Sequence, residues 1–205
     1  MKSKGSGFIL AGLLLIAAAL LLTGYNLWEE NRAGDAAVEV AHQLVEIIPQ
    51  VAEPEVPAEE IVPEMPLYVT YPEMEMPAAK IDSDLYIGIL EIPALDLELP
   101  IMSSWSYPKL KVAPCRYTGS AYTKDLVIAA HNYKSHFGRL GNLALGDRIT
   151  FTDVDGNVFT YEVAAQETLM PTAIREMTSG EWALTLFTCT VGGSYRVAVR
   201  CDLVE

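Results

Sequence analysis

Cys189 is the residue of this chain best suited to covalent chemistry. It ends an apolar, strand-like run at residues 184–189 and precedes a loop that contains Gly192 and Gly193. A thiol acts as a nucleophile only in its thiolate form, so it needs a general acid/base and a positive charge close by. The pattern therefore predicts a nucleophile held at the end of a strand.

Three histidines are candidates for the acid/base. His131 directly follows the apolar run 126–130, so it leaves the end of a strand as Cys189 does. We predict that His131 is the general acid/base, because imidazole titrates near neutral pH. His42 lies before a proline-rich segment and is expected to face solvent, and His136 is expected to form local hydrogen bonds.

Two arginines could supply the positive charge. Arg196 and Arg200 are four residues apart in the last strand-like run, which puts both on one face of a strand. Arg196 lies nearer to the loop that follows Cys189, so we predict that it positions the substrate and stabilises an oxyanion. Arg200 is interpreted as a surface arginine in an ion pair. Thr188 has two open interpretations: it hydrogen-bonds a substrate, or it only suits the strand.

The other two cysteines are interpreted as structural. Cys201 alternates with apolar residues on one face of its strand, which indicates a core position. Cys115 follows a proline, and three states stay open for it: a core residue, a free thiol, or a disulfide with Cys201. The spacing of His131 and His136 does not match a zinc site, so neither a metal nor another cofactor is predicted.

Short strands in the C-terminal part of the chain must position these residues. Strand-like runs cover 86–92, 97–101, 125–130, 148–152, 158–163, 182–188 and 195–204, and weak helical signals cover 135–143 and 171–178. Turn residues at 153–157 join two of the runs as a hairpin. Seven or eight short strands in about 125 residues predict a mainly β domain, either a barrel or a sandwich.

The N-terminal part has a different composition. An uncharged apolar stretch at 7–28 follows Lys2 and Lys4 and precedes Glu29 and Glu30. About 20 apolar residues suffice to cross a bilayer, and the lysines favour a cytoplasmic N-terminus. We predict a single-pass anchor in the cell membrane with the folded domain outside. A cleaved secretory signal is the open alternative, and it also exports the domain.

A proline- and glutamate-rich segment separates this stretch from the strands. Residues 49–77 hold seven of the twelve prolines, seven glutamates and no lysine or arginine, which is typical of an extended spacer. We therefore divide the chain into an anchor (1–28), an extracellular helical and Pro/Glu-rich stalk (29–79) and a catalytic domain (80–205). Most of the net charge of −13 lies before the catalytic domain, and no basic patch suggests a nucleic-acid partner.

The run 184–189, with Arg196 seven residues after the cysteine, resembles the signature of the sortases, which are cysteine transpeptidases of Gram-positive cell surfaces. Other segments resemble the family in the same order along residues 82–205: 87–93, 99–101, 127–132, 137–140, 145–147 and 155–156. The details resemble the class B or class D-like branches. Ala130 is a departure, since many sortases carry glycine before the histidine.

The resemblance implies a closed eight-stranded β-barrel with a few short helices, and a two-step acyl transfer without a cofactor. Cys189 would cleave an LPXTG-like sorting motif between Thr and Gly through a thioacyl-enzyme. His131 would then activate an amine from a cell-wall precursor or a pilin lysine, so that surface proteins are anchored to the cell wall or pilin subunits are joined. Two alternatives stay open: a hydrolytic cysteine peptidase, and an inactive β-barrel adhesion or scaffold module.

Overall fold

The computed structural model describes residues 4–49 and 65–204, with side chains from Gly7 onward. The helices are α1 (Lys4–Ile47), α2 (Leu67–Thr70), α3 (Tyr107–Leu110) and α4 (Ile174–Met177), with 3₁₀ turns at Pro93–Leu95 and Leu140–Asn142. The strands are β1 (Ala79–Ile81), β2 (Asp84–Ile92), β3 (Leu97–Met102), β4 (Cys115–Thr118), β5 (Leu126–Ala129), β6 (Arg148–Asp153), β7 (Val158–Leu169), β8 (Leu184–Cys189) and β9 (Arg196–Leu203).

Eight of the described strands form a closed barrel in the order β2-β3-β4-β5-β8-β9-β7-β6, and the pairing of β6 with β2 closes it. β1 is an extra short strand that pairs with the start of β2. At the closure, Gly88 lies opposite Asp153 and has a φ of 154°. A Cβ at Gly88 would lie 2.1 Å from the Thr152 carbonyl oxygen, so only glycine permits this approach. The predicted eight-stranded barrel is confirmed.

Six of the predicted strands agree with β2, β3, β5, β6, β8 and β9 to within two residues at each end. β7 is longer than predicted. Its residues 165–169 pair with β9, although their composition is not strand-like. β1 and β4 were not predicted, since their residues, Ala-Lys-Ile and Cys-Arg-Tyr-Thr, form neither a continuous apolar run like that of β5 nor a long alternating one. Of the predicted helical segment 135–143, only Leu140–Asn142 is helical.

The main core fills the barrel. Strand alternation sends one set of side chains inward, so that Leu126 and Ile128 of β5, Leu184 and Leu186 of β8, and Val199 of β9 are all buried in one cluster. The residues between them point outward from the barrel. This alternation matters for function, because it decides which side chains of β5, β8 and β9 share the outer face.

α1 is one continuous helix. Its sequence is rich in alanine and leucine, and it ends before Pro49, which disfavours the helical conformation in the residue before it. Residues 7–28 are apolar and exposed almost throughout, and the helix is long and apolar enough to cross a membrane.

The second part of α1 packs on the outside of the barrel. The buried positions lie three or four residues apart on one helix face: Ala33, Ala37, Val40, Ala41, Leu44 and, just beyond the helix, Ile48. Val40, Leu44 and Ile48 contact a second apolar cluster with Ile81, Tyr86, Ile89 and Met102 of β1, β2 and β3. The boundary predicted after residue 28 therefore falls inside a helix, and residues 29–48 lie against the barrel.

The chain also lies on the barrel where its description resumes. Tyr68 of α2 stacks on Tyr122 with ring centroids 4.6 Å apart, and Met76 is buried in the main core. Of the predicted stalk, residues 50–64 lie outside the described residues. The domain boundaries themselves stay a prediction.

Candidate active site

The three residues that the sequence analysis singled out leave neighbouring strands of the barrel. β5 pairs with β8 in parallel, and β8 pairs with β9 in antiparallel orientation. His131 lies two residues beyond β5, Cys189 is the last residue of β8, and Arg196 is the first residue of β9. All three therefore lie at the same end of the barrel.

They also share the outer face of the sheet. Their strand neighbours Ile128, Leu186 and Val199 point into the core, and His131, Cys189 and Arg196 are each an odd number of positions away. The side chains of the three residues are partly exposed, in contrast to the buried strand interiors. The fold thus brings the predicted nucleophile, acid/base and cation to one surface.

Cys189 and Arg196 are direct cross-strand partners in the β8–β9 register. Partners of this kind share a face and hold their Cβ atoms about 5 Å apart. A tight hairpin turn joins the strands: Thr190 N donates to Tyr195 O at 3.0 Å, and Gly192 and Gly193 adopt φ values of 83° and 75°. Arg196 Nη1 donates to the carbonyl oxygens of Gly193 and Tyr195, at 3.0 and 3.1 Å.

His131 is held next to β8 by the residue before it. Ala130 N donates to Phe187 O at 3.1 Å, and Thr188 Oγ1 donates to Ala130 O at 2.9 Å. The β5–β8 register pairs Ala129 with Phe187, so continuation by two residues brings His131 beside Cys189. Neighbouring strands are about 4.8 Å apart, a separation that a cysteine and a histidine side chain can bridge.

The imidazole of His131 is oriented by its neighbours. Its ring stacks on Tyr133 with centroids 4.0 Å apart, and Nδ1 lies 3.0 Å from Asn132 Oδ1. When Nδ1 carries the proton, it donates to Oδ1 and leaves Nε2 free to accept a proton. Burial lowers the pKa of His131, the hydrogen bond to Asn132 and the charge of Glu29 oppose that shift, and Lys111 adds to it. The neutral imidazole is therefore favoured at neutral pH.

Thr188 points away from the outer surface. Its side chain is buried, and its hydroxyl donates to Ala130 O. The hydroxyl that was considered for a substrate contact is therefore bonded within the protein, where it ties β8 to the residue before His131. A contact of Thr188 with substrate stays a prediction.

Arg200 is not a surface residue, which corrects its interpretation from the sequence. It is 2 % exposed, and its ion pair with Glu167 has an Nη2–Oε2 distance of 2.9 Å. Nη2 also donates to Glu176 O at 2.7 Å, and Nη1 donates to Met177 O at 3.3 Å. Arg200 thereby fastens α4 and its neighbouring loop over the outer face of β8 and β9.

A smaller apolar cluster lies on the same outer face as the three residues. It consists of buried side chains of β5, β8, β9 and α4: Val127, Ala129, Phe187, Ala198 and Met177. An aromatic wall borders it, in which Tyr117 meets Phe187 edge to face at 5.3 Å and stacks on Trp105 at 5.2 Å. The outer face beside the candidate site is therefore apolar.

The remaining cysteines and histidines have structural roles. All three cysteines are free thiols, and Cys115 and Cys201 are fully buried, so the core prediction for Cys201 is confirmed and the two do not form a disulfide. Burial raises the pKa of each of these two thiols to about 12. His42 is exposed, as predicted. His136 is instead fully buried, and burial lowers its pKa to about 4, with Ala33 of α1 opposing the shift.

Two contacts near the site were not predicted from the sequence. Lys111 Nζ binds Glu29 Oε1 of α1 at 2.6 Å, across 82 residues of chain. The anchor of α4 by Arg200 was also missed, although an arginine in an otherwise apolar strand is a signal of a buried polar contact. Among residues 7–49 and 65–204, no group of three or more His, Cys, Asp or Glu side chains is arranged to hold a metal ion.

Comparison with known proteins agrees with this architecture. The sequence model of the Sortase domain matches residues 90–204. No match is found among the curated proteins. Similar solved structures include sortase A from Corynebacterium diphtheriae, with 21 % identity, a TM-score of 0.54, and coverage of 86 % of this chain and 84 % of that one.

Two clostridial structures are similar to the same degree. The Sortase D5 transpeptidase of Clostridium perfringens has 20 % identity, a TM-score of 0.52, and coverage of 58 % of this chain and 79 % of that one. Sortase C from Clostridium perfringens has 19 % identity and a TM-score of 0.52, and covers 87 % of this chain and 90 % of that one. Such similarity establishes the shared fold and does not single out one sortase class.

The pairing of β6 with β2 closes the barrel, and the Sortase domain matches residues 90–204. This chain belongs to the sortase family of transpeptidases.

Proposed function

We propose that this protein is a cysteine transpeptidase that cleaves an LPXTG-like sorting motif between Thr and Gly and joins the new acyl end to an amine. The observation that carries the proposal is the convergence of His131, Cys189 and Arg196 on one outer face, at the ends of three neighbouring strands. A thiol, an imidazole and a guanidinium in this arrangement supply the groups that acyl transfer through a thioester requires.

In the first half-reaction, Nε2 of the neutral His131 takes the proton of the Cys189 thiol, and the resulting thiolate attacks the carbonyl carbon of the motif's threonine. The carbonyl oxygen becomes an oxyanion, and the Arg196 guanidinium donates hydrogen bonds to it. When the C–N bond to glycine breaks, His131 gives a proton to the departing amine. A thioester between Cys189 and threonine remains.

In the second half-reaction, the amine of the acceptor attacks the thioester carbonyl. His131 removes a proton from this amine as the new C–N bond forms, and the sulfur of Cys189 leaves as thiolate. Because Asn132 holds Nδ1, Nε2 is the nitrogen that takes and returns the proton. The acceptor is the amine of a cell-wall precursor or a pilin lysine.

The apolar cluster on the outer face supports a substrate with an apolar residue before the cleaved bond. It lies beside Cys189 and contains Phe187, Ala129 and Met177, against which a leucine side chain can pack. The wall of Tyr117 and Trp105 favours a proline ring, since flat aromatic faces pack well on rigid rings. An LPXTG-like motif has both residues on the side of the scissile bond that stays with the enzyme.

Membrane attachment is part of the proposed function. The exposed apolar stretch 7–28 of α1 spans the cell membrane once, with the N-terminus in the cytoplasm and the barrel outside. Substrates and acceptors that are themselves bound to the cell surface are then concentrated near the enzyme. The outcome is covalent attachment of surface proteins to the cell wall or to one another.

The test uses the full chain in lipid nanodiscs with a panel of peptides that contain LPXTG-like motifs. Intact-protein mass spectrometry without an amine should show one acyl group on the wild type and none on Cys189→Ala. Addition of triglycine or a lysine peptide should release the enzyme and yield the ligated product. Cys201→Ala is the matched control and should form the same thioester, because its thiol lies in the core.

Each outcome decides between the candidate functions. Release of the free acid alone, with every amine tested, would identify a hydrolytic peptidase. Absence of a thioester and of turnover across the whole panel would leave the scaffold interpretation. A thioester that survives Cys189→Ala would refute the assignment of the nucleophile.

A further inference from the structure

The exposed apolar part of α1 ends five residues before the first residue of α1 that packs on the barrel. Trp28 is the last apolar residue of the exposed stretch, and Ala33 is the first buried residue of the face that packs on the barrel. Five residues of helix rise only about 7.5 Å. Since α1 is unbroken through this region, it leaves no flexible joint between the apolar stretch and the barrel.

Two contacts of α1 grip the rim of the barrel at this level. Glu29 Oε1 binds Lys111 Nζ at 2.6 Å, and Glu30 Oε1 accepts a hydrogen bond from Lys134 N at 2.6 Å. Gly34 lies so close to the same turn that a Cβ would approach Ser135 Cβ to 3.0 Å. Lys134 is three residues from His131, so the gripped rim is the catalytic rim.

The electrostatic environment agrees with this proximity. Burial is the first cause that raises the pKa of Tyr133, the Glu29 carboxylate is the next, and the phenol of Tyr25 also contributes. Tyr133 in turn stacks on His131. Tyr133 therefore contacts the catalytic imidazole and also lies within electrostatic reach of Glu29 and Tyr25 on α1.

Apolar and aromatic side chains are exposed around the same rim. On α1, Tyr25 and Trp28 have ring centroids 6.0 Å apart, and the Arg32 guanidinium lies 5.6 Å from the Trp28 ring. On the barrel, Tyr107 is 79 % exposed beside Pro108, which lines a cavity together with Glu29 and Lys111. Aromatic residues of this kind are typical of the membrane interface.

We infer that α1 holds the barrel rigidly at the membrane, and we call this role of α1 a rigid mount. The catalytic rim then faces the lipid bilayer that the apolar stretch of α1 enters. The rim comprises Trp105, Tyr107, Lys111, Tyr133 and the loop 190–195. The inference rests on the membrane anchoring proposed above. It places His131 and Cys189 at the headgroup layer. The Pro/Glu-rich segment follows the docked helix, so its length does not set the distance between the site and the membrane.

The rigid mount restricts which peptide bonds of membrane-bound substrates can reach the active site. A scissile bond that lies at the bilayer surface reaches Cys189, whereas one held far above it by a stiff spacer does not. A barrel on a flexible tether would reach both. This difference in reach separates the two arrangements experimentally.

Three native tryptophans measure the position of the barrel. Trp28 marks the interface, Trp105 lies in the rim, and Trp182 lies seven residues before Cys189, near the opposite end of β8. Six strand residues extend about 20 Å, so Trp182 is the built-in distant control. Full-chain variants that keep one tryptophan, with phenylalanine at the other two positions, are placed in nanodiscs that carry a nitroxide on the lipid headgroup.

We expect quenching of Trp28 and Trp105 to exceed quenching of Trp182 by at least about twofold, because interfacial aromatic rings lie at the headgroup depth. Equal quenching of Trp105 and Trp182 would overturn the mount. Absence of quenching at Trp28 would overturn the membrane anchoring on which the mount depends. Circular dichroism and thermal unfolding of each variant verify that the barrel is folded.

A flexible insertion tests the mount without disturbing the barrel. Twelve Gly/Ser residues inserted between Trp28 and Glu29 keep the contacts of Glu29, Glu30 and Ala33 but break the rigid link. Quenching of Trp105 should fall to the level of Trp182, and unchanged quenching would refute the inference. Turnover of a soluble LPXTG-like peptide should be the same with and without the insertion. If neither protein turned over the peptide, the proposed chemistry would be contradicted, and the depth measurement would still stand.

Discussion

Cys189 and Arg196 face each other across the β8–β9 pair, at the point where both strands end in a glycine-containing hairpin. A cation thus lies beside the thiol on a rigid element and needs no loop closure to reach it. The two residues are held by backbone hydrogen bonds of the hairpin, and the guanidinium itself is steadied by the carbonyl oxygens of Gly193 and Tyr195. The pair is preorganised for a negative charge that develops near the sulfur.

Arg196→Ala should lower kcat/KM by about 10²- to 10³-fold, the usual loss when a donor to an oxyanion is removed. Arg196→Lys should retain part of the activity, since the charge remains but the forked donor geometry is lost. Peptide cleavage kinetics measure both. Arg148→Ala, at an exposed position of β6, is the control and should have wild-type kinetics. Full activity of Arg196→Ala would exclude the assigned role.

A thiol-alkylating reagent should modify the folded protein once, at Cys189. Cys115 and Cys201 are fully buried and have raised pKa values, whereas Cys189 is partly exposed. Since the thiolate is the reactive form, we expect Cys189 to react at least about 100-fold faster than either of the others. Peptide mapping after timed alkylation measures the three rates. Two sites modified at similar rates in folded protein would contradict this.

Arg200→Met should destabilise the protein by about 3 kcal/mol, because the carbonyl oxygens of Glu176 and Met177 lose their donor in a buried setting. The same substitution should raise KM for the peptide more than it lowers kcat, because α4 would no longer be held over the outer face of β8 and β9. Denaturant unfolding and peptide kinetics provide the two readouts.

Glu167→Gln is the matched variant on the other side of the ion pair. Its side chain is 43 % exposed, so the loss of stability should stay below about 1 kcal/mol, with little change in KM. If both variants lost equal stability, Arg200 would contribute only through the ion pair, and its role as the fastening of α4 would be wrong.

His136 should make the protein sensitive to acid. Its pKa falls from 6.5 to about 4 through burial, so the unfolded chain takes up a proton at a pH where the folded chain does not. The stabilisation is complete above pH 6.5 and is lost as the pH falls from 6.5 to about 4, by roughly 3 kcal/mol in total. His136→Phe should flatten this part of the stability profile.

The control for this prediction is His42→Asn, because His42 is exposed on α1. Its unfolding free energy should follow the wild-type pH profile between pH 4 and pH 7. A His136→Phe protein that still lost stability through that window as the wild type does would show that other groups cause the acid sensitivity.

The Glu29–Lys111 pair should tune the catalytic imidazole. Glu29 raises the pKa of His131 and Lys111 lowers it, so Glu29→Gln should lower that pKa further and Lys111→Met should raise it. NMR titration of labelled histidines in full-chain Cys189→Ala protein measures the change. Shifts of the same sign in the two variants would indicate a structural effect in place of an electrostatic one.

The sequence by itself predicted the candidate catalytic residues and most of the strands. Cys189, His131 and Arg196 stand out because each adjoins an apolar run that is long enough to show a periodicity, and local patterns of this kind also carry the resemblance to the sortases. β1 and β4 lack that signal, because they are short and mix polar with apolar residues, whereas the equally short β5 is apolar throughout.

The tertiary structure alone decided which residues meet across long stretches of chain. Glu29 binds Lys111 over 82 residues, and Arg200 becomes buried only because α4 folds over β9. The second part of α1 looked like the start of a stalk, since half of its buried face is alanine, and small residues mark a close contact only when a partner surface is present. Such pairings depend on the closed barrel, which no local pattern encodes.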